Sequence, residues 1–269
     1  MRAHAQPPET PAGDADATAL AKQTQNPVSD LVSVPLQFNF NSGGAFGDRS
    51  GILLNVQPVI PIPLTPEWNV IARTIVPFVT VPQARGDSDG GLGDINLQLF
   101  ATPSGAGAIV WGVGPVFSFP TATLDEVATG SWGLGPAAVA LYQGGPWVVG
   151  ALATQTWTIS DFGDDREVNQ FLLQPFANYN LGKGWAITSA PIITASWDEP
   201  GNGWTVPVGG GLTWTTTIGG HAMNLGAQYY YNVERPDEGP KNQLRLVVAF
   251  LFPTKHAAAP KREVASSVP

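Results

Sequence analysis

Charged side chains are rare where apolar and polar residues alternate along the chain, and three of them are candidates for chemistry: Arg73, Asp94 and Arg245. Neutral amides follow Asp94 at the same two-residue spacing, at Asn96 and Gln98. Fixed charges next to amides can select a solute by its charge and hydrogen-bond it. The alternative interpretation is an ion-pair network that braces the surrounding structure.

A catalytic set is not evident. The three histidines, His4, His221 and His256, lie near the chain ends or beside a short turn, so a serine or aspartate hydrolase would lack its base. The absence of cysteine removes disulfides, thiolate metal sites and cysteine nucleophiles. The formal charge of −8 argues against nucleic acid as a partner. We therefore predict that the protein is not an enzyme and uses neither a cofactor nor a metal.

Segments with a two-residue alternation must position the candidate residues. A β-strand sends successive side chains to opposite faces, so each segment has one apolar face and one mixed, polar-bearing face. In 243–252, for example, Leu244 and Leu246 flank Arg245. Twelve segments show the pattern: 31–41, 50–62, 68–81, 93–101, 108–119, 131–142, 147–158, 168–181, 185–197, 204–216, 221–233 and 243–252.

These segments predict an all-β protein, a transmembrane antiparallel up-and-down β-barrel of about 12 strands, because lipid tolerates strands only in a closed sheet. Only 13% of the residues are charged, against roughly 25% in soluble domains. We predict residues 1–30 as a periplasmic segment, residues 31–252 as the barrel and residues 253–269 as a flexible tail. The first segment holds a short helix over Ala17–Gln25, capped by Asp16, or is a linker; a helix there would plug the periplasmic opening.

The connections between the segments alternate in length. Short turns are predicted at 65–67, 103–107, 144–146, 182–184 and 219–220, and longer loops near 42–49, 82–92, 120–130, 159–167, 198–203 and 234–242. Outer-membrane barrels have short periplasmic turns and longer external loops. The long loops are acidic, and an acidic mouth would concentrate cations. The runs at 86–91 and 161–165 are weak candidates for calcium sites, because neither matches a full EF-hand loop.

Tryptophans stand at both ends of several segments, as Trp185 and Trp197 do. Twelve steps of about 3.3 Å separate them, or about 30 Å along the membrane normal at a tilt of about 40°. This spacing predicts one aromatic belt at each membrane interface. Seven prolines inside the segments conflict with a closed ladder, because proline cannot donate to it, and we expect bulges there: Pro58, Pro77, Pro115, Pro136, Pro175, Pro191 and Pro207.

If the apolar residues of each segment face lipid, the amides and the three charges face inward and line a lumen. Turning a charge to the lipid near the midplane would cost several kcal/mol. Apolar residues such as Ile71 and Phe176 share this inward face, which would suit amphipathic or aromatic solutes. We predict that eight residues line the lumen and control selectivity: Arg73, Asp94, Asn96, Gln98, Gln174, Asn178, Gln228 and Arg245.

Eight short strings carry a family resemblance: AKQTQNPV at 21–28, GDIN at 93–96, WGVGP at 111–115, GPWVVGAL at 145–152, QPFANYNL at 174–181, APIITASW at 190–197, WTVPVGGG at 204–211 and YYNV at 230–233. With them the chain resembles the outer-membrane barrel family of phenol-degradation meta-pathway proteins, some of which are labelled bacterial neuromedin U. The resemblance implies an outer-membrane location, transport of an undefined substrate and a link to aromatic compounds. The chain departs from the pattern of barrels that end on a terminal aromatic, since residues follow Phe252.

The function expected from these observations is a channel or transporter for small solutes, aromatic or hydrophobic compounds among them, in the bacterial outer membrane. Its expected partners are outer-membrane lipid, the outer-membrane assembly machinery and a small-molecule solute. The alternative is a closed barrel that acts as a structural scaffold, or binds ions or a partner through its acidic loops.

Overall fold

The computed structural model describes residues 12–44, 50–82, 88–105, 107–124, 127–160, 169–198 and 201–252. They form one helix and fifteen strands: α1 (Ala12–Thr24), β1 (Val32–Ser42), β2 (Ser50–Val56), β3 (Val59–Pro63), β4 (Trp68–Pro82), β5 (Ser88–Leu92), β6 (Ile95–Pro103), β7 (Ile109–Phe119), β8 (Trp132–Gly144), β9 (Trp147–Ser160), β10 (Asn169–Gly182), β11 (Trp185–Ser189), β12 (Ile193–Ser196), β13 (Trp204–Ile218), β14 (His221–Glu234) and β15 (Asn242–Phe252).

The strands form a closed barrel with twelve strand positions. Three of these positions are each occupied by two short strands with a break between them, β2 with β3, β5 with β6 and β11 with β12, and all neighbours pair antiparallel. β15 pairs with β1 along the whole length of both strands, from Val32 opposite Phe252 to Ser42 opposite Asn242, which closes the sheet. The predicted fold, an antiparallel up-and-down barrel of about 12 strands, is therefore confirmed.

The inner and outer faces follow the predicted parity. In β8, the side chains of Val139 and Leu141 are buried, whereas the side chain of Tyr142, on the other face of the strand, is exposed. In β15, Arg245 is buried, and its neighbour Leu244 is exposed on the other face. Because successive side chains alternate across a strand, one face encloses the lumen and the other is an apolar outer surface.

Aromatic side chains form two belts on the outer surface. Eight of the nine tryptophans have between 37% and 50% of their surface exposed. At the end with the short turns, Trp185 stacks on Trp214 with ring centroids 5.5 Å apart, and Trp147 lies 4.8 Å from Tyr179. At the opposite end, Trp197 meets Trp204 at 5.5 Å. The arrangement matches the two interfaces of a bilayer.

Most in-strand prolines lie where the ladder is interrupted. Pro58 lies in the break between β2 and β3, and Pro191 lies in the break between β11 and β12. Pro207 lies at a register shift in β13. Pro115 faces Pro136 across β7 and β8, and ladder pairs are missing beside each of them on the other side. Proline lacks the N–H that a ladder needs, so the predicted irregularities are confirmed at these positions. Pro175, by contrast, lies in a continuous register with β9.

Two local boundaries differ from the sequence-based expectation. The segment predicted as a loop at 82–92 includes strand β5, which pairs with the end of β4. The helix covers Ala12–Thr24, so it begins before Asp16, which lies within it and does not cap it. An alanine-rich stretch with Asp14 and Asp16 near its start favours helix, because carboxylates stabilise a helix N-terminus. Within the described residues, no helix is long and apolar enough to cross a membrane.

Candidate functional site

The lumen has an apolar side and a polar side. The apolar side consists of buried residues from β4 and β6–β10, which pack into one cluster: Ile71, Phe100, Val116, Ala137, Val139, Leu141, Val148, Leu152 and Phe176. The polar side is formed by β13–β15 with β1 and β2, where Asn39, Gln228, Asn232 and Arg245 are buried. The buried apolar groups are thus concentrated on one side of the lumen, although the amides Gln98, Asn178 and Asn180 are buried on the same strands.

Arg245 makes three hydrogen bonds on the polar side of the lumen. Each of its three nitrogens donates a hydrogen bond: Nε to Asn39 Oδ1 at 3.1 Å, Nη1 to the carbonyl of Ala190 at 2.8 Å and Nη2 to Gln243 Oε1 at 2.9 Å. The guanidinium also stands 4.8 Å from the centroid of the Tyr230 ring. Arg245 thereby joins β1, β14 and β15 to the break between β11 and β12.

The backbone in the break between β11 and β12 takes part in this network. Ala190 follows β11 directly and precedes Pro191, outside any strand. Its N–H donates to the Tyr230 hydroxyl at 2.9 Å, while that hydroxyl donates to Gln228 Oε1 at 2.6 Å. Ala190 also packs against the apolar cluster. The segment therefore contacts both walls and narrows the lumen between them.

Arg73 has a different environment. Its Nη1 donates to Gln98 Oε1 at 3.1 Å and its Nη2 to Gln57 Oε1 at 2.8 Å. Gln98 in turn donates to Asn96 Oδ1 at 3.1 Å. The acceptors are neutral amides, which orient the guanidinium but do not balance its charge. Arg73 therefore keeps an uncompensated positive charge on the inner face of β4.

A cavity of about 210 Å³ lies beside Arg73, between the barrel wall and the chain that follows α1. Gln174, Asn178 and Gln228 line it with Arg73, so four of the eight predicted residues meet at one cavity. Its other lining residues are Gln23, Thr24, Gln25, Asn26, Pro27, Ser29, Leu31, Ser33, Pro35, Gln37, Gln57, Val59, Phe176, Thr188, Ala190, Thr213 and Asn224. Polar amides and small apolar surfaces thus surround a single guanidinium.

The N-terminal segment closes one side of this cavity. α1 contacts β10, β11 and β13 from inside the barrel, at the end with the short turns. Gln25 and Asn180 exchange two amide hydrogen bonds of 3.0 Å, and Lys22 donates to the carbonyl of Gly145 in a short turn. Val28 is buried in the apolar cluster. Residues 16–31 therefore occupy the lumen at this end.

Asp94 lies apart from both arginines. Its carboxylate accepts hydrogen bonds from the backbone N–H groups of Thr121, Ala122 and Thr129 at 3.0 Å each, and from the Thr129 hydroxyl. These contacts fix the connection between β7 and β8 at the end with the long loops. Asp94 lies between β5 and β6, outside the strands, contrary to the sequence-based expectation. Arg73, Asp94 and Arg245 form no ion pair with one another, and the bracing network considered from the sequence is not observed among them.

The structure brings some predicted residues together and separates others. Asn96 and Gln98 connect to Arg73, whereas Arg245 belongs to the Ala190 network and Asp94 to a loop. Gln57, Tyr230 and Ala190 are part of these networks and are absent from the predicted set. Gln57 and Tyr230 have the inward parity, and the proline after Ala190 signals the break. Control of selectivity by the eight residues stays a prediction.

Metal ligands are sparse in the described segments, where no group of three His, Cys, Asp or Glu residues is close enough to hold an ion. The calcium candidate at 161–165 lies outside the described residues, as do residues 86 and 87 of the one at 86–91. His221 begins β14 beside a short turn, and its side chain is exposed. His4 and His256 lie outside the described residues.

Solved structures share this architecture. The COG4313 outer membrane channel from Pseudomonas putida F1 aligns over 83% of this chain and 96% of its own, at 14% identity and a TM-score of 0.60. A NanC porin aligns over 83% of this chain and 100% of its own, at 8% identity and a TM-score of 0.52. This chain shares their fold. No family model and no curated protein matches the sequence.

Proposed function

We propose that the protein is a narrow channel for small solutes in the bacterial outer membrane. The observation that carries the proposal is the closed barrel whose lumen retains a cavity lined by amides and one arginine. The interior of an eight-stranded barrel fills with side chains, whereas sixteen strands leave an aqueous pore. Twelve strands lie between these limits, so the width of the passage depends on what occupies the lumen.

The outer surface supports the location. Two aromatic belts enclose an apolar band, which fits lipid as the surrounding medium. The structures that share the fold include an outer membrane channel and a porin, and the same role is proposed here. A barrel of this kind reaches the outer membrane through the assembly machinery, which is its expected partner together with lipid and the solute.

Residues 16–31 act as a plug in this proposal. They occupy the lumen at the end with the short turns, which is the periplasmic end of outer-membrane barrels. Gln25, Lys22 and Val28 attach them to three different parts of the wall. The plug narrows the opening and leaves the cavity beside Arg73 as the passage.

The passage favours small solutes that combine a polar group with an apolar body, aromatic compounds included. Amides such as Gln174 and Asn178 offer hydrogen bonds, while Phe176 and Val59 offer apolar contact in the same cavity. The cavity is smaller than the roughly 300–1,000 Å³ of pockets for drug-sized ligands. Nothing in this role requires a catalytic group, and the protein is proposed to act without catalysis.

Conductance of the refolded protein in a planar bilayer tests the proposal. The full chain is expected to show stable single-channel steps, and a variant that lacks residues 1–28 is expected to show larger ones because the plug is gone. Faster gel migration before boiling than after boiling establishes that each variant is folded. Silence from both folded variants would contradict a channel.

A closed barrel without transport is the second candidate. The observation that favours it is the packing of Val28 into the apolar cluster and the contact of Ala190 with both walls, which together leave little open lumen. Such a barrel would serve as a scaffold through its long loops. It predicts no conductance with or without residues 1–28.

A further inference from the structure

We propose that Arg73 forms the binding site for a small carboxylate, with a monocyclic aromatic carboxylate as the best-fitting class of solute. The inference rests on the proposed channel function and adds to it the chemical class of the solute. Four observations carry it: the unused donors of Arg73, its lack of an acidic partner, its position on the cavity and the apolar surface in the same cavity.

The guanidinium of Arg73 has donors to spare. An arginine side chain carries five N–H groups. Within the described residues, the hydrogen bonds of Arg73 use one N–H on each terminal nitrogen, towards Gln57 and Gln98. The other three N–H groups remain for a ligand. The two amides hold the planar group at a fixed angle, which lowers the entropy lost when it binds a carboxylate through two parallel hydrogen bonds.

The charge of Arg73 also lacks a counterion in this part of the lumen. Among the described residues that line the cavity, Arg73 is the only one that carries a charge, and none is Asp or Glu. A cation inside a membrane-spanning segment is costly and is retained when it serves a bound partner. The carboxylate of Asp94, between β5 and β6, accepts hydrogen bonds from backbone N–H groups of a loop. An anion from solution is therefore the partner that this site lacks.

The remaining walls of the cavity select what is attached to the carboxylate. Phe176, Val59 and Leu31 supply apolar surface, and Gln174 and Gln228 supply amide groups at its border. A ring bound against the apolar surface gains free energy from the area that it removes from water. At about 210 Å³, the cavity admits one small ring and not a large solute.

Calorimetric titration of the folded full chain in detergent tests the site directly. Benzoate is the probe, benzamide is its neutral analogue and acetate is a carboxylate without a ring. Wild-type protein is expected to bind benzoate more tightly than both. Arg73→Gln is expected to weaken benzoate binding by about tenfold to a hundredfold and to leave benzamide binding nearly unchanged, because a hydrogen bond to a charged group is removed. Arg73→Lys keeps the charge but loses the fork, and an intermediate affinity is expected.

Arg235→Gln is the matched control. It removes the same charge by the same substitution, but Arg235 lies in the connection after β14 and donates to the carbonyls of Pro236, Asp237 and Gly239. Its affinity for benzoate is expected to equal that of the wild type. Equal affinities for benzoate and benzamide, or an Arg73→Gln variant that binds benzoate like the wild type, would overturn the inference.

Reversal potentials in a salt gradient separate the two proposals. A conducting wild type with anion preference that Arg73→Gln abolishes supports both. A conducting protein without anion preference and without benzoate binding overturns the carboxylate site and leaves the channel standing. A silent protein that binds benzoate through Arg73 overturns the channel and leaves the site standing.

Discussion

Two arginines share one lumen and differ in what their surroundings leave them free to do. Arg245, near the end with the long loops, donates hydrogen bonds from all three nitrogens, and its guanidinium lies 4.8 Å from the centroid of the Tyr230 ring. Arg73, nearer the opposite end, uses two of its nitrogens and borders a cavity. The same residue type is therefore expected to have a structural role at one site and a recognition role at the other, because Arg245 links several elements of the wall, whereas Arg73 keeps three N–H groups beside a cavity that a ligand can enter.

Replacing Arg245 is expected to have the largest effect on stability. Arg245→Ala leaves Ala190 O and Gln243 Oε1 without their donor, removes one of the two donors to Asn39 Oδ1, and is expected to lower the free energy of unfolding by about 2–3 kcal/mol. Arg73→Ala is expected to cost less, about 1–2 kcal/mol, because Gln57 borders a cavity that water can enter, whereas only Gln98 is left buried without this donor. Urea unfolding in detergent, followed by tryptophan fluorescence, measures both. Equal losses would remove the proposed difference between the two arginines.

Tyr230→Phe probes the same network with a smaller change. It keeps the ring beside Arg245 and removes the hydroxyl that links Ala190 to Gln228, at an expected cost of about 1–2 kcal/mol. Tyr231→Phe is the control, since Tyr231 is exposed on the outer face, and a change within about 0.5 kcal/mol is expected there. The same unfolding assay applies, and a Tyr230→Phe variant as stable as the control would contradict a hydroxyl bridge.

Gln57→Glu would convert the free arginine into a paired one. The new carboxylate would replace an amide oxygen 2.8 Å from Arg73 Nη2 and form a charge-assisted hydrogen bond. Benzoate affinity is expected to fall by about tenfold, with the free energy of unfolding lowered by no more than about 0.5 kcal/mol. Gln243→Glu makes the same change beside Arg245, and benzoate binding should be unaffected. Calorimetry of the two variants side by side decides whether a carboxylate paired with Arg73 controls binding.

Gln25→Ala is expected to have the smallest effect. It removes the two amide hydrogen bonds to Asn180 that attach the plug, at a cost of less than about 1 kcal/mol. The looser plug should raise the rate of benzoate dissociation about twofold without altering the Arg245 network. Stopped-flow exchange of benzoate measures this rate. An unchanged rate would mean that the plug does not border the path of the ligand.

Much of the fold follows from the sequence because a barrel wall is built from neighbours. Alternation sets which face each side chain takes, and Arg73 and Arg245 both have the predicted inward parity. The difference between them arises from contacts across the lumen, such as the one between Arg245 and Ala190, 55 positions apart. Parity carries no information about such pairs. Pro191 predicts a break in its strand but not the side of the barrel wall towards which the backbone turns at the break.

The early start of α1 escaped prediction for a related reason. Asp16 is a good capping residue by type, but helix formation by the alanines before it outweighs a local cap. Val28 and Leu31 bury apolar surface inside the barrel, and no periodicity in the segment indicates this. A segment that packs against many strands has its position set by the assembled wall.

The seam between β1 and β15 imposes an order on folding. It joins residues about as far apart in the chain as the barrel allows, as in the contact of Gln243 with Asn41, 202 positions away. Contacts of such long range form slowly, because the entropy of closing the loop is lost before the pairing is gained. Pairing of β15 with β1 closes the wall around residues 16–31, so a chain truncated before β15 would lack the strand that encloses this segment.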